Sequence, residues 1–233
     1  MNITWFDDYD LMSESAASII YDEIRERRKL VLCAATGNSP RGLYKRLVDY
    51  HYHEPSLFDQ LTVVKLDEWG GLPKNHPSSC EYYLRNYLIE PLQIPAGRFI
   101  SFASDAQDPE SECRSIQRKL DKQGPIDICI LGLGSNGHIG FNEPAAFLEP
   151  FCHVAKLAAS SLNHSMVQTI GEKPIFGLTL GLKDILNSKR IIMLITGDHK
   201  QKVTEELLNA QIDTNLPASF LWLHSQVDCL IHS

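Results

Sequence analysis

Apolar residues along the chain follow two spacings. Ala16, Ile19, Ile20 and Ile24 recur at the period of one helix face, and an unbroken apolar run over 30–35 follows them. That run feeds Thr36-Gly37-Asn38-Ser39-Pro40, after which Leu43, Tyr44, Leu47 and Val48 again share a helical face. A glycine turn and a proline at the helix's first turn mark the boundary between strand and helix. Runs over 61–66, 126–131 and 190–196 repeat the strand pattern, and 99–102 is a shorter extended piece. Helical spacings lie between them: Tyr82, Leu84 and Leu88 behind a cap at Ser78, then Cys113, Ile116 and Leu120, then residues 199–209. Strands apolar on both faces and alternating with helices predict an α/β fold, Rossmann-like and doubly wound, with a mainly parallel sheet covered by helices on both faces. No repeat or linker divides the pattern, so residues 1–233 read as a single domain.

Sheets of this kind bind ligands outside the carboxyl ends of their strands. The candidate site is therefore the set of loops after Ala35, Leu66, Leu131 and Ile195. The first loop offers backbone N–H groups freed by Gly37, the Ser39 hydroxyl and a helix N-terminus behind them, which together suit an anion. Taken alone, such a turn is more often an ordinary strand–helix connection. The loop after Leu66 sets two acids side by side, so Asp67 can face the site as a general base while Glu68 faces elsewhere; capping a turn is the other reading of Asp67.

The loop after Leu131 carries the most information. Its glycines let backbone approach a ligand closely, His138 can move a proton near neutral pH, and Glu143 can accept an imidazole N–H and hold the tautomer. A lone histidine is more often structural, but a histidine with an acid in a glycine-rich loop reverses that expectation.

Composition narrows the ligand. The formal charge of −7 disfavours nucleic acid, whose backbone needs a basic face, while a small phosphorylated molecule needs only local donors. The six cysteines are scattered singly, without metal-site or disulfide spacing, and read as buried free thiols. The N-terminus resembles no targeting segment, and no apolar run is long enough to span a bilayer. These features place the protein, as an expectation, in the cytoplasm with no membrane partner.

At Gly134-Ser135-Asn136-Gly137-His138-Ile139-Gly140-Phe141-Asn142-Glu143-Pro144 the chain resembles the GxxDGHIAFNEP segment of the glucosamine-6-phosphate deaminase family. Asp67-Glu68-Trp69 with Gly71-Leu72-Pro73 resembles that family's DEYxGLP segment, and residues 36–40 are similar to its TGxTP phosphate loop. The resemblance implies isomerisation of a hexosamine 6-phosphate with loss of ammonia, requiring no metal and no redox cofactor. By the same resemblance His138 assists ring opening with Glu143 orienting it, and Asp67 carries the proton from C2 to C1. Thr36, Gly37, Asn38, Ser39 and Lys200 are implied to hold the phosphate.

Two departures refine this. Asn136 stands where the family has aspartate, and an amide supplies no charge to stabilise an imidazolium, so ring opening is expected to lean more on Glu143. Asn136, Trp69 and the run 217–225 are shared with the branch named for galactosamine 6-phosphate, making galactosamine 6-phosphate to tagatose 6-phosphate the expected reaction. Glucosamine 6-phosphate to fructose 6-phosphate is the first alternative. Residues 160–168 also lack the family's phosphate-binding arginine; Arg41 could compensate, although a solvated helix surface is its commoner use. The 6-phosphogluconolactonases are a further alternative, disfavoured by Trp69 and by Asn142-Glu143-Pro144, and a non-catalytic sugar-phosphate binder is another, motivated by Asn136. Ending at Ser233, the chain is expected to lack the allosteric apparatus of longer relatives; a homo-oligomer is neither required nor excluded.

Overall fold

The computed structural model describes residues 1–73, 75–162 and 174–232. In order along the chain these form β1 (Asn2–Phe6), α1 (Tyr9–Arg27), β2 (Val31–Ala34), α2 (Arg41–His53), β3 (Thr62–Lys65), β4 (Asp67–Gly70) and α3 (Cys80–Leu84). There follow β5 (Phe99–Ile100), α4 (Pro109–Gln123), β6 (Ile128–Gly132), β7 (His153–Ala155), α5 (Ala159–Leu162) and β8 (Phe176–Thr179). The last elements are α6 (Leu182–Leu186), β9 (Arg190–Thr196), α7 (Gln201–Leu208) and β10 (Val227–His232). Asn163, His164 and Gln168, the polar residues of the segment without arginine, lie outside the described residues.

Seven strands form one all-parallel sheet in the order β1-β10-β9-β6-β2-β3-β5. Side chains alternate along each strand, so each strand feeds two cores. Cys33, Cys129, Ile191 and Met193 point to the face covered by α4, α6 and α7. Leu32, Ile128, Ile192 and Leu194 point to the opposite face, under α1 and α2. This is the doubly wound arrangement read from the hydrophobic runs. The helix faces agree with that reading, since the buried residues of α4 are Cys113, Ile116 and Leu120.

Several local features differ from the sequence reading: β1, β7, β8 and β10 lie outside the predicted strands, and two further differences bear on the site. The cap of α3 is Ser79, whose hydroxyl accepts from the Tyr82 amide at 3.0 Å, one residue beyond Ser78. Asp67–Gly70, read as a loop, is strand β4 of a second, three-stranded sheet in the order β4-β8-β7, antiparallel throughout. Leu178 and Leu180 seat this small sheet on the core of the large one. From β2 the sheet grows through β3 to β5 on one side and through β6, β9 and β10 on the other. The switch between β2 and β6 opens a crevice at their carboxyl ends, where ligands bind in such folds.

Candidate active site

That crevice holds a cleft of about 810 Å³, lined by residues from all four predicted loops. Thr36, Gly37, Asn38, Ser39, Asp67, His138 and Lys200 all line it. Asn136 and Glu143 stand behind His138 and reach the cleft through its ring.

The loop after β2 needs a glycine, because Gly37 has φ +109. Its carbonyls are held from outside: the Tyr83 hydroxyl donates to Gly37 O at 2.6 Å and the Tyr9 hydroxyl to Asn38 O at 2.7 Å. Ser39 Oγ lies 2.8 Å from Thr196 Oγ1, so the loops after β2 and β9 are joined across the switch point. Lys200 ends a single turn of 3₁₀ helix after β9 and pairs with no carboxylate among the described residues. Burial lowers its ammonium to about 8. A desolvated cation without a counter-charge, next to free loop donors, suits an anion supplied from solution.

Asp67 begins β4, where the chain leaves the large sheet for the small one. Strand alternation turns the two adjacent acids apart. Glu68 is fully buried; its Oε1 accepts from the Trp69 and Cys80 amides, both at 2.8 Å, and its Oε2 accepts from the Glu81 amide and the Lys65 ammonium. It is spent on structure. Asp67 is 9% exposed, and its Oδ1 has no hydrogen-bond partner among the described residues. Burial first, and then the neighbouring Glu68 charge, push its carboxyl up to about 7, against the pull of His138 and Lys65. A carboxyl at that value can both take and return a proton near neutrality.

His138 sits against Gly134, where a Cβ would come within 2.3 Å of the imidazole Cε1, so a side chain there would displace the ring. Its Nδ1 lies 2.7 Å from Asn136 Oδ1 and 3.3 Å from Glu143 Oε2. Asn136 Nδ2 in turn donates to Glu143 Oε2 at 2.9 Å. These contacts settle the amide's orientation and the tautomer together. A carboxylate only accepts, so the amide nitrogen must face Glu143 and the amide oxygen must face His138. Nδ1 therefore carries the proton, and Nε2 is left for chemistry.

Burial alone would lift the Glu143 carboxyl, but His138, Ser161 and Asn136 outweigh it and hold it at about 2. At that value Glu143 is ionised near neutrality and accepts rather than donates, so any part it takes in ring opening runs through its hold on His138. The imidazole also has the carboxylate neighbour that an amide at position 136 seemed to deny it.

Sequence reasoning missed several contributors. Thr196 closes a strand that was read correctly, so its position was available. Ser161 donates to Glu143 Oε1, and Tyr9 and Tyr83 hold the loop after β2. No local pattern marks these three, which arrive from elements 18 to 46 residues away in sequence.

The chain matches the family model described as "Glucosamine-6-phosphate isomerases/6-phosphogluconolactonase" over residues 9–230. It is 41% identical over 227 residues to AgaI of Escherichia coli (strain K12), a protein provisionally named a deaminase, covering 97% of this chain and 90% of that one. It is 38% identical to glucosamine-6-phosphate deaminase 1 of Bacillus subtilis (strain 168), over 96% of this chain and 93% of that one. A solved monomeric glucosamine-6-phosphate deaminase superposes with a TM-score of 0.92 at 36% identity, covering 100% of this chain and 97% of that one. The 6-phosphogluconolactonase of Trypanosoma brucei shares the fold, with a TM-score of 0.79 at 21% identity over 99% of this chain and 95% of that one. By family model, by sequence and by fold, the chain belongs to the glucosamine-6-phosphate isomerase/6-phosphogluconolactonase family, as a sugar-phosphate isomerase/deaminase enzyme.

Proposed function

We propose that the protein converts galactosamine 6-phosphate and water to tagatose 6-phosphate and ammonia. The observation that carries this reading is Asp67, a buried carboxyl poised near neutrality with one oxygen unpartnered, in one cleft with a tautomer-fixed imidazole and an uncompensated lysine. Residues 36–39 and Lys200 hold the phosphate. Nε2 of His138 serves the ring oxygen and anomeric hydroxyl during ring opening, with Nδ1–H anchored on Asn136 and Glu143. Asp67 then removes the proton at C2 and returns it to C1 on the same face of the planar enolamine. Water adds to the resulting imine carbon and ammonia leaves, giving the ketose.

The choice of galactosamine rests on Asn136, Trp69 and the run 217–225. Trp69 lines the cleft beside Asp67 and packs on Phe141, with ring centroids 4.4 Å apart. Glucosamine 6-phosphate is the second reading, favoured by the named activity of the Bacillus relative and of the solved monomeric deaminase. A coupled assay for ammonia and ketose, run on galactosamine, glucosamine and N-acetylated 6-phosphates, decides between them. The higher kcat/KM is expected for galactosamine 6-phosphate and none for the N-acetylated sugars. No ammonia from any of them at any pH would overturn deamination, and a preference for glucosamine 6-phosphate would overturn the substrate.

A further inference from the structure

We propose that Arg41 is a second cation of the phosphate-binding end of the cleft, acting with Lys200 on a dianionic phosphomonoester. The inference rests on the reading above that the cleft takes a sugar phosphate. Arg41 is the first residue of α2, two positions after Ser39, and lines the cleft together with Lys200. No other arginine among the described residues does so.

Arg41 pairs with no carboxylate among the described residues, as is true of Arg25, Arg28, Arg98 and Arg118, but of these five it alone lines the cleft. Its guanidinium instead lies 4.8 Å from the centroid of the Tyr87 ring. That ring is 4.7 Å from Tyr83, whose hydroxyl donates to the carbonyl of Gly37. The aromatic pair therefore ties the guanidinium to the same loop that offers backbone donors. Stacking occupies a face of the guanidinium and leaves its in-plane N–H groups free to donate.

The helix behind it also lacks negative charge. α1 and α4 are capped by Asp8 and Asp108 and carry acids in their first turns, but α2 has neither a side-chain cap nor an acid there. Among the described residues lining the cleft, Asp67 is the only carboxylic acid. A helix N-terminus, a half-buried lysine and an arginine without a carboxylate partner among the described residues thus concentrate positive potential that a phosphate dianion would neutralise.

Arg41 is exposed and makes no buried contact, so its substitution should spare the fold. Titration calorimetry with inorganic phosphate tests the idea on the unmodified protein, Arg41→Ala and Arg41→Lys. Arg41→Ala should weaken phosphate binding about tenfold, and Arg41→Lys should weaken it less, as a charge-assisted contact is lost or partly kept. KM for the active hexosamine 6-phosphate should rise in parallel, with a much smaller change in kcat. Equal phosphate affinity in the unmodified protein and Arg41→Ala would overturn the proposal, as would a loss confined to kcat. The two readings fail separately. Weakened phosphate binding without ammonia release from the unmodified protein would leave Arg41 in place and remove deamination, whereas ammonia release with unchanged phosphate binding would remove only Arg41.

Discussion

The pH behaviour of the site is carried by two displaced groups. On the proposed reading Asp67 must be ionised to take a proton, and it is pushed up to about 7, while Lys200 must be charged to hold phosphate, and it is lowered to about 8. The kcat/KM profile is therefore expected to be a narrow bell, rising through about 7 and falling through about 8, with the upper limb lost in Lys200→Ala. A plateau extending well above that upper value in the unmodified protein would remove Lys200 from the site. Asp67→Asn should abolish exchange of the C2 proton with solvent deuterium while retaining sugar-phosphate binding. The same substitution should change stability in a stated direction. The folded pKa of Asp67 lies above its unfolded value, so the folded state holds the proton longer, and stability declines as pH rises from about 4 to about 7. Asp67→Asn removes that decline, and urea unfolding should find it close to the unmodified protein at the acid end but more stable, by on the order of a few kcal/mol, above neutrality. Asn136 carries a separate expectation. Asn136→Asp would set a second carboxylate 2.9 Å from Glu143 Oε2, where two like charges cannot both persist. The pair must then bind a proton that the amide makes unnecessary, and the acidic limb should move upward; superimposable profiles would mean that position 136 does not act on His138.

At the level of elements, Asp67, the proposed base, is placed by β4, and β4 is placed by Glu68. That carboxylate accepts from two amides at the start of α3 and from Lys65, so it joins helix, strand and buried cation at one point. Glu68→Ala would take the nearest carboxylate from Lys65, itself fully buried, leaving it the Phe102 carbonyl at 2.8 Å and Glu81 at 3.7 Å, and should cost up to about 3–5 kcal/mol in denaturant unfolding. A loss below about 1 kcal/mol would show that the network is dispensable. None of this was visible in the residues of β4, and the reason is physical. The large-sheet strands β2, β3, β6 and β9 are buried on both faces and announce themselves as apolar runs. β4 is two acids, a tryptophan and a glycine; it is a strand only because β8, more than a hundred residues later, pairs with it. β1 was equally silent, being an edge strand whose residues are mostly exposed. The site followed the same division. The loops after the apolar runs and the glycine-rich segment around His138 were legible, whereas Ser161, Tyr9 and Tyr83 act across distances that no local spacing encodes.

The molecule as a whole keeps its cysteines inside. All six are free, and Cys152 alone is partly accessible while the other five are buried, with burial raising the thiols of Cys33, Cys80, Cys113 and Cys229. An aromatic disulfide reagent should titrate no more than one thiol rapidly in the native state and all six after denaturation. More than one fast thiol would indicate that a core face opens readily. The two-sheet construction has a broader consequence. Lys200 and the loop of Gly37 to Ser39 are fixed to strands of the large sheet, whereas Asp67 travels with the small one. If Asp67 is the base and Lys200 with its neighbouring loop the anion site, the span between them is set by how two sheets pack, and it works as a ruler. On the proposed reading, a hexose phosphorylated at C6 would reach from one mark to the other with C2 under the carboxylate, whereas the same sugar phosphorylated at C1 would present the wrong carbon. Discrimination between positional isomers then requires no contact dedicated to it, and drift in the packing between sheets would be felt as a change of substrate length before it was felt as a loss of fold.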